Sequence, residues 1–393
     1  MKWLSDHRKA VLGFTVSTAF LPFQLEGDFV PRWAAIAVGI PLVSKLDIRA
    51  LSEPMRLLLG FLLFVCAISL VQTPFFLVGV NDMIFVVILS LAFLMGAGLE
   101  TIDDLMTGLA VGISISAALV SVQYFSQWSP FPVGSTSPAG LFYNSEVMGE
   151  FSALILVWAV AKRRLMLAVA TGLALALSFS RVGLGVAVIG LLVAWRPRLR
   201  VLLPVIVAVL VAGVSLLLFT KFSSSFHRVI LWGATAMSFT PLGHGLGWAS
   251  LAFPEEEFSH SDALQAIAEL GIGGLALVLI PIAAFRGKRA GYAEHAIFAA
   301  VLVEVLVSFP LHFPASGFVA AVVAGFMVGL GPDVRRLPFV SHPSDELCRV
   351  RWRDAENGND GHGQRLGGVV SIRSVLEKLA ALRTRPTSIT GEA

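Results

Sequence analysis

Apolar runs, each closed by a short polar segment, follow one another along the chain from residue 10 to residue 331. Most approach the roughly 17 to 25 residues with which a helix crosses the hydrocarbon core of a bilayer. The pattern predicts twelve membrane helices. The first six lie near residues 10–25, 30–44, 56–72, 82–99, 105–124 and 147–161. The others lie near 165–179, 182–195, 199–219, 262–285, 293–309 and 316–331. Several are short, which tilt or re-entry accommodates. The first run follows Lys2, Arg8 and Lys9 as a signal peptide would, but no small-residue cleavage site closes it, so it reads as an uncleaved first helix. No internal repeat stands out.

Composition agrees with this pattern. Only 14% of residues are charged and 56% are hydrophobic, where a soluble domain carries about 25% charged; mean hydropathy is +0.80. The predicted fold class is therefore all-α and polytopic, with residues 1–331 as the membrane domain. Charge placement tests the alternation of spans, because Lys and Arg collect in cytoplasmic segments. With a cytoplasmic N-terminus, 25 of the 29 Lys and Arg fall on the inner side. Only Arg32, Arg181, Lys221 and Arg228 fall outside. Arg32 fits snorkelling at a helix end. The others flank or enter the longest outer connection, Lys221 to Ser261, between the ninth and tenth spans.

The other long outer loop, Ser126 to Glu146, carries "SPFPVGSTSP" and no basic residue. After residue 331 the chain turns polar, with "ENGNDGHGQ" reading as a disordered linker. Ile372, Val375, Leu376, Leu379 and Leu382 then recur at helical spacing among basic residues. Residues 370–383 fit either an amphipathic helix on the inner leaflet or a marginal free helix. The tail, 332–393, is expected to be cytoplasmic like the N-terminus. Two cysteines exclude a disulfide framework or a cysteine metal site.

The residues that could carry chemistry gather where the tenth span begins. Asp262, Gln265 and Glu269 share one helix face. Asp262 with Gln265 fits a capping box, placing His260 just outside the helix N-terminus. His260 and Asp262 are open to a bland reading, as loop residue and cap. Glu269 argues against it, since an acid inside a span is costly and faces a polar interior or a partner. Arg181, in "ALSFSRVGLG", has no acid in its own turn; Arg228, in "SSFHRVILWGATAM", has only Glu255 to Glu257 as candidates in space. A guanidinium fork suits phosphate oxygens, so this pair fits either a lipid diphosphate or ordinary interfacial anchoring. The glycines of "PLGHGLGWAS" suit close backbone approach in a loop, with no preceding strand for a dinucleotide fold. Asp103 and Asp104 map to the inner side and read as a helix cap; no metal site is expected.

At these residues the chain resembles the O-antigen ligase and polymerase superfamily, bacterial membrane glycosyltransferases that use undecaprenyl-diphosphate-linked glycans. The resemblance covers about residues 140–331. "GLFYNSEVMGEF" resembles the family's Gly-x-Phe-x-Asn segment, departing at Ser145-Glu146. "SFSRVGLG" resembles its Ser-Arg turn, and "HRVILWGATAMSFTPLGHGLG" its Arg-x-x-x-Trp helix and glycine loop. "SHSDALQAIAELGIGGL" resembles its His/Glu/Gly signature and "SFPLHFPASGF" its late outer loop. The five occur in the family's order.

The resemblance implies a fold like the C-type glycosyltransferases, a site at the periplasmic face of the bacterial inner membrane, and no cofactor or metal. It implies that Arg181 and Arg228 hold the diphosphate, with His260 as catalytic base on the acceptor hydroxyl. Gln265, Glu269 and Asp262 would support them. No role carries over to His244. The implied partners are an undecaprenyl-diphosphate-linked glycan, an acceptor (lipid A core, lipid-linked repeat or other glycan) and the bilayer, with no nucleic acid. Ligase and polymerase differ only in acceptor, which nothing in the sequence specifies. A transporter of lipid-linked glycan is the rival from another class; Glu304, in mid-span, favours it.

Overall fold

A computed structural model describes residues 7–19, 29–44, 46–73, 76–126, 128, 138–142, 144–195, 222–253, 261–287, 289–308 and 310–330. The expected ninth span, the tail from 332 with its segment 370–383, Lys221, Glu255 to Glu257 and His260 lie outside them. Among the described residues the fold is all-helical, with one isolated bridge between Leu51 and Gly329. In chain order the helices are α1 Arg8–Thr18, α2 Phe29–Val43, α3 Glu53–Gln72, α4 Phe76–Gly98, α5 Asp103–Ser126, α6 Ser145–Ala161 and α7 Leu165–Ser178. They continue as α8 Arg181–Ala194, α9 Phe222–Met237, α10 Trp248–Ala252, α11 Asp262–Leu270, α12 Ala276–Phe285, α13 Tyr292–Val307 and α14 Pro314–Val328.

Three of them, α3, α4 and α5, are long and apolar enough to cross a membrane, or four crossings if the bent pair of α11 and α12 counts as one. The face of α3 shows what surrounds the bundle. Leu57, Phe61, Phe64, Ile68 and Val71 recur at helical spacing and are exposed, while Leu59, Leu62, Cys66 and Ser69 are buried on the opposite side. Water would penalise a continuous stripe of five large apolar side chains; lipid does not. The chain is thus suited to a membrane through these helices.

Small residues let the helices approach closely, as packing within lipid requires. At the α6–α8 crossing, a Cβ added to Gly183 would come within 2.7 Å of the Gly149 carbonyl. That contact brings the first turns of the two helices together. Central α6 buries Met148, Phe151, Trp158 and most of its other side chains.

Hydrogen bonds sort the helix ends into two sets. At one end Lys162 Nζ lies 3.0 Å from Asp103 and 3.1 Å from Glu294, and Arg289 donates to the carbonyls of Ala97 and Leu99. Asp103 is therefore an ion-pair partner rather than a cap; its own N–H donates to the Thr101 hydroxyl. At the other end the starts of α6, α8 and α11 meet the finish of α13. This is the end that carries the expected outer residues.

Arg32 corrects an expectation. It is fully buried rather than snorkelling. Its Nε donates to Val16 O at 3.0 Å and its Nη2 to Leu141 O at 2.8 Å, and its guanidinium lies 4.0 Å over the Phe142 ring. Gln123 Oε1 accepts the N–H groups of Ala139 and Gly140. Segment 138–142 is thereby held against α1, α2 and α5.

Candidate functional site

Helix α11 starts two residues after His260. Ser261 is its N-cap, accepting from Leu264 N, so the capping box expected of Asp262 is not formed. The Asp262 carboxylate is used elsewhere: Oδ2 accepts from Leu311 N at 2.7 Å and Oδ1 meets His312 Nδ1 at 2.7 Å. The Asp262 N–H donates to Ser308 O. One aspartate thus fastens the start of α11 to the turn between α13 and α14. His312 lies in that turn, outside the helices. Burial alone would lower its pKa, but the Asp262 carboxylate, with Asp82 and Glu269 behind it, raises it from 6.5 to about 9.

Gln265 and Glu269 do share the Asp262 face. The Gln265 amide donates to Glu269 Oε1 at 3.1 Å and lies 3.5 Å from His312 Nε2. Glu269 also accepts from Ala249 N at 3.1 Å, and its backbone carbonyl accepts from Gly245 N and from Ser69 Oγ. Its role is to anchor the glycine loop. His244 N donates to Ala268 O and Ile272 N to Pro241 O, so the loop pairs with the helix end as two strands would. Close approach requires glycine on both sides. Gly243 and Gly271 have φ of +75° and +59°, and a Cβ on either would overlap the opposing backbone. A short 3-10 stretch, Gly271–Leu275, extends α11, and the segment Leu279–Phe285 of α12 is bent by 70° from Asp262–Leu275. His244 stacks on Trp248 at 4.7 Å and its Nε2 meets Ser238 O, a local role.

Arg228, on α9, is half-buried. It lies 3.6 Å from Glu146 and donates to Val307 O at 3.4 Å. Among the described residues its carboxylate partner is Glu146, at the start of α6. Arg181 is the first residue of α8, behind the N-cap Ser180. Among the described residues it has no ion-pair partner. Because Gly183 packs on Gly149, Arg181 sits at the same end of α6 as Arg228. The fold therefore gathers Arg181, Arg228 and the start of α11 around one helix end; His260 itself is outside the described residues.

Glu150, His312 and Asp82, at this end, go beyond the sequence expectations. Glu150, one turn into α6, is buried and accepts from Ser308 Oγ at 3.0 and 3.1 Å. Glu304 lies beside it, fully buried, yet makes no hydrogen bond of ordinary geometry with a described residue. His312 and Asp82 both line a partly open chamber of about 220 Å³ between α3, α4 and α11–α14. Its walls include Leu59, Phe93, Ile280 and Leu302; its polar lining includes Asp82, Asp262, Gln265, Glu269 and His312. Glu150 and Asp82 carry the same signal in the sequence as Glu269, an acid within an apolar run. His312 stood within a segment already noted for its order in the chain. Among the described residues no group of His, Cys, Asp and Glu is arranged to hold a metal ion. No protein-family model matches the chain, and no characterised protein matches it in sequence.

Proposed function

We propose that the chain is a glycan transferase of the O-antigen ligase and polymerase type, working at the outer face of a bacterial inner membrane. The observation that carries this reading is the convergence of Arg181 and Arg228 on the end of α6, beside the helix start that follows His260. Two guanidinium groups at one site suit a diphosphate, and an apolar chamber opens nearby for hydrocarbon.

A hydroxyl oxygen of the acceptor attacks the anomeric carbon of the lipid-linked glycan. The bond from that carbon to the diphosphate oxygen breaks, and the electron pair leaves with undecaprenyl diphosphate. The hydroxyl proton passes to the His260 imidazole, a group of suitable basicity near neutrality. Arg181 and Arg228 meet charge as it grows on the leaving diphosphate, in a site partly shielded from water. Asp262 and Gln265 orient the start of α11; Glu269 holds the loop beneath it. The acceptor is a lipid A core in a ligase and a lipid-linked repeat in a polymerase.

The test is transfer by the purified chain from an undecaprenyl-diphosphate-linked glycan to a core or lipid-linked acceptor. Arg181→Ala and Arg228→Ala should each lower kcat/KM by roughly tenfold to a hundredfold, the worth of one charge-assisted contact or slightly more. Normal product formation by these variants and by His260→Ala would refute the mechanism. The adjacent buried carboxyls of Glu150 and Glu304 favour a second reading, proton-coupled movement of a lipid-linked glycan. Glycan flipping in vesicles without product formation would select it.

A further inference from the structure

We propose that the polar cluster of the chamber, built on Asp262 and His312, binds a lipid whose head is hydroxylated and uncharged. The site is argued from the chamber itself and stands whether or not the chain transfers glycan.

Apolar side chains make most of the chamber's lining, and Asp262, Gln265, Glu269 and His312 form one polar cluster through their mutual contacts. That suits a hydrocarbon chain with a head at the polar cluster. The charges there decide which head. Asp82 comes from α4, Asp262 and Glu269 from α11, and the Cys66 thiol from α3; among the described residues no Lys or Arg lines the chamber. Three carboxyl groups surround one imidazole. A phosphate would enter a net negative field at short range, where like charges cost several-fold more than in water. The two arginines that suit phosphate lie instead at the start of α6, with Arg228 reaching Glu146 and Val307 O. Donor diphosphate and chamber head are therefore different chemistries at neighbouring places.

The imidazole itself suits a neutral oxygen. Asp262 is fixed by Leu311 N on one oxygen and His312 on the other, so the ring is held in one orientation. Asp262 keeps His312 charged up to about pH 9, which makes it an N–H donor under ordinary conditions. A sugar hydroxyl accepts from such a donor and gives its own proton to a neighbouring carboxylate or the Gln265 carbonyl. His312 and Asp262 are thus positioning residues for a sugar head, beside the base that the mechanism places two residues before Asp262.

The test uses the full chain in amphipol. Binding of tritiated dodecyl β-D-glucoside, below its micelle concentration, is measured by scintillation proximity, with unlabelled dodecyl phosphate as competitor. Saturable glucoside binding is expected, with the phosphate at least roughly tenfold weaker. His312→Leu should weaken glucoside binding roughly tenfold, one charge-assisted hydrogen bond. His312→Gln, which keeps a donor, should recover part of it. Wild-type affinity should fall as pH rises through about 9, while His312→Gln stays flat. Absence of saturable binding, equal competition by the phosphate, or unchanged affinity in a folded His312→Leu would overturn the proposal. Selective binding in a preparation that transfers no glycan would retire the transferase reading and leave the lipid site standing.

Discussion

The ion pair between Arg228 and Glu146 competes with any diphosphate for the same guanidinium. Replacing Glu146 by Gln removes the competing charge and leaves the shape. The pair is separated by 3.6 Å, and the Glu146 side chain is 57% exposed. A pair this open to solvent is worth about 0.5 to 1 kcal/mol at most. Relieving it should tighten donor binding roughly twofold to fivefold, since about 1.4 kcal/mol corresponds to tenfold. Glu146 also lies in the first turn of α6, where a negative charge is favourable by a few tenths of a kcal/mol; fold stability should barely change. The assay is initial transfer rate against donor concentration at low and high ionic strength. The KM for donor should fall at low salt with kcat nearly unchanged, and the difference should shrink at about 1 M salt, where screening acts within a few ångströms. An unchanged or raised KM at low salt would show that Arg228 does not meet the anion. A change that persists at high salt would show a cause other than charge.

Other outcomes follow from the same geometry. Gly271→Ala forces a side chain into positive φ and against Pro241 O; it should cost roughly 2 to 4 kcal/mol, from backbone strain and overlap, read as a lowered melting temperature in detergent. Glu269→Ala leaves Ala249 N and the Gln265 amide without their acceptor and should cost on the order of 2 kcal/mol. Glu269→Gln should retain much of that stability, because an amide oxygen can still accept. The raised pKa of His312 gives stability that is full below about pH 6.5 and lost as pH rises through about 9, on the order of 3 kcal/mol at most. Melting temperature should decline across that window, and His312→Gln should abolish the decline.

The hydrophobic pattern was sufficient to place most helices, because a segment of apolar residues between polar turns has few alternatives in lipid. Charge placement was equally direct: Lys162 and Arg289 meet at one end of the bundle, Arg181 and Arg228 at the other. What the pattern could not give was partnership. Asp262 fits a cap by spacing, but its partner, Leu311 N, is 49 residues away, and no local rule reaches that far. Arg32 looked like an end-of-helix arginine because its acceptors are backbone carbonyls, which every residue has and no sequence marks. Glu269 read as a supporting acid that needs a partner; Ala249 N and the glycine loop are partners that spacing did not name. Periodicity reports which face is buried, not what it is buried against.

The buried position of Arg32 imposes an order on assembly. Its acceptor Leu141 O lies 109 residues further along the chain, so α1 and α2 leave the ribosome well before that acceptor exists. A guanidinium alone in hydrocarbon is costly. In a bilayer the N-terminal hairpin therefore settles fully only after α5 and segment 138–142 have been made. A chain truncated ahead of residue 138 would hold Arg32 toward the water, and extending it past Leu141 would draw that residue out of reach of a polar thiol reagent at an Arg32→Cys substitution.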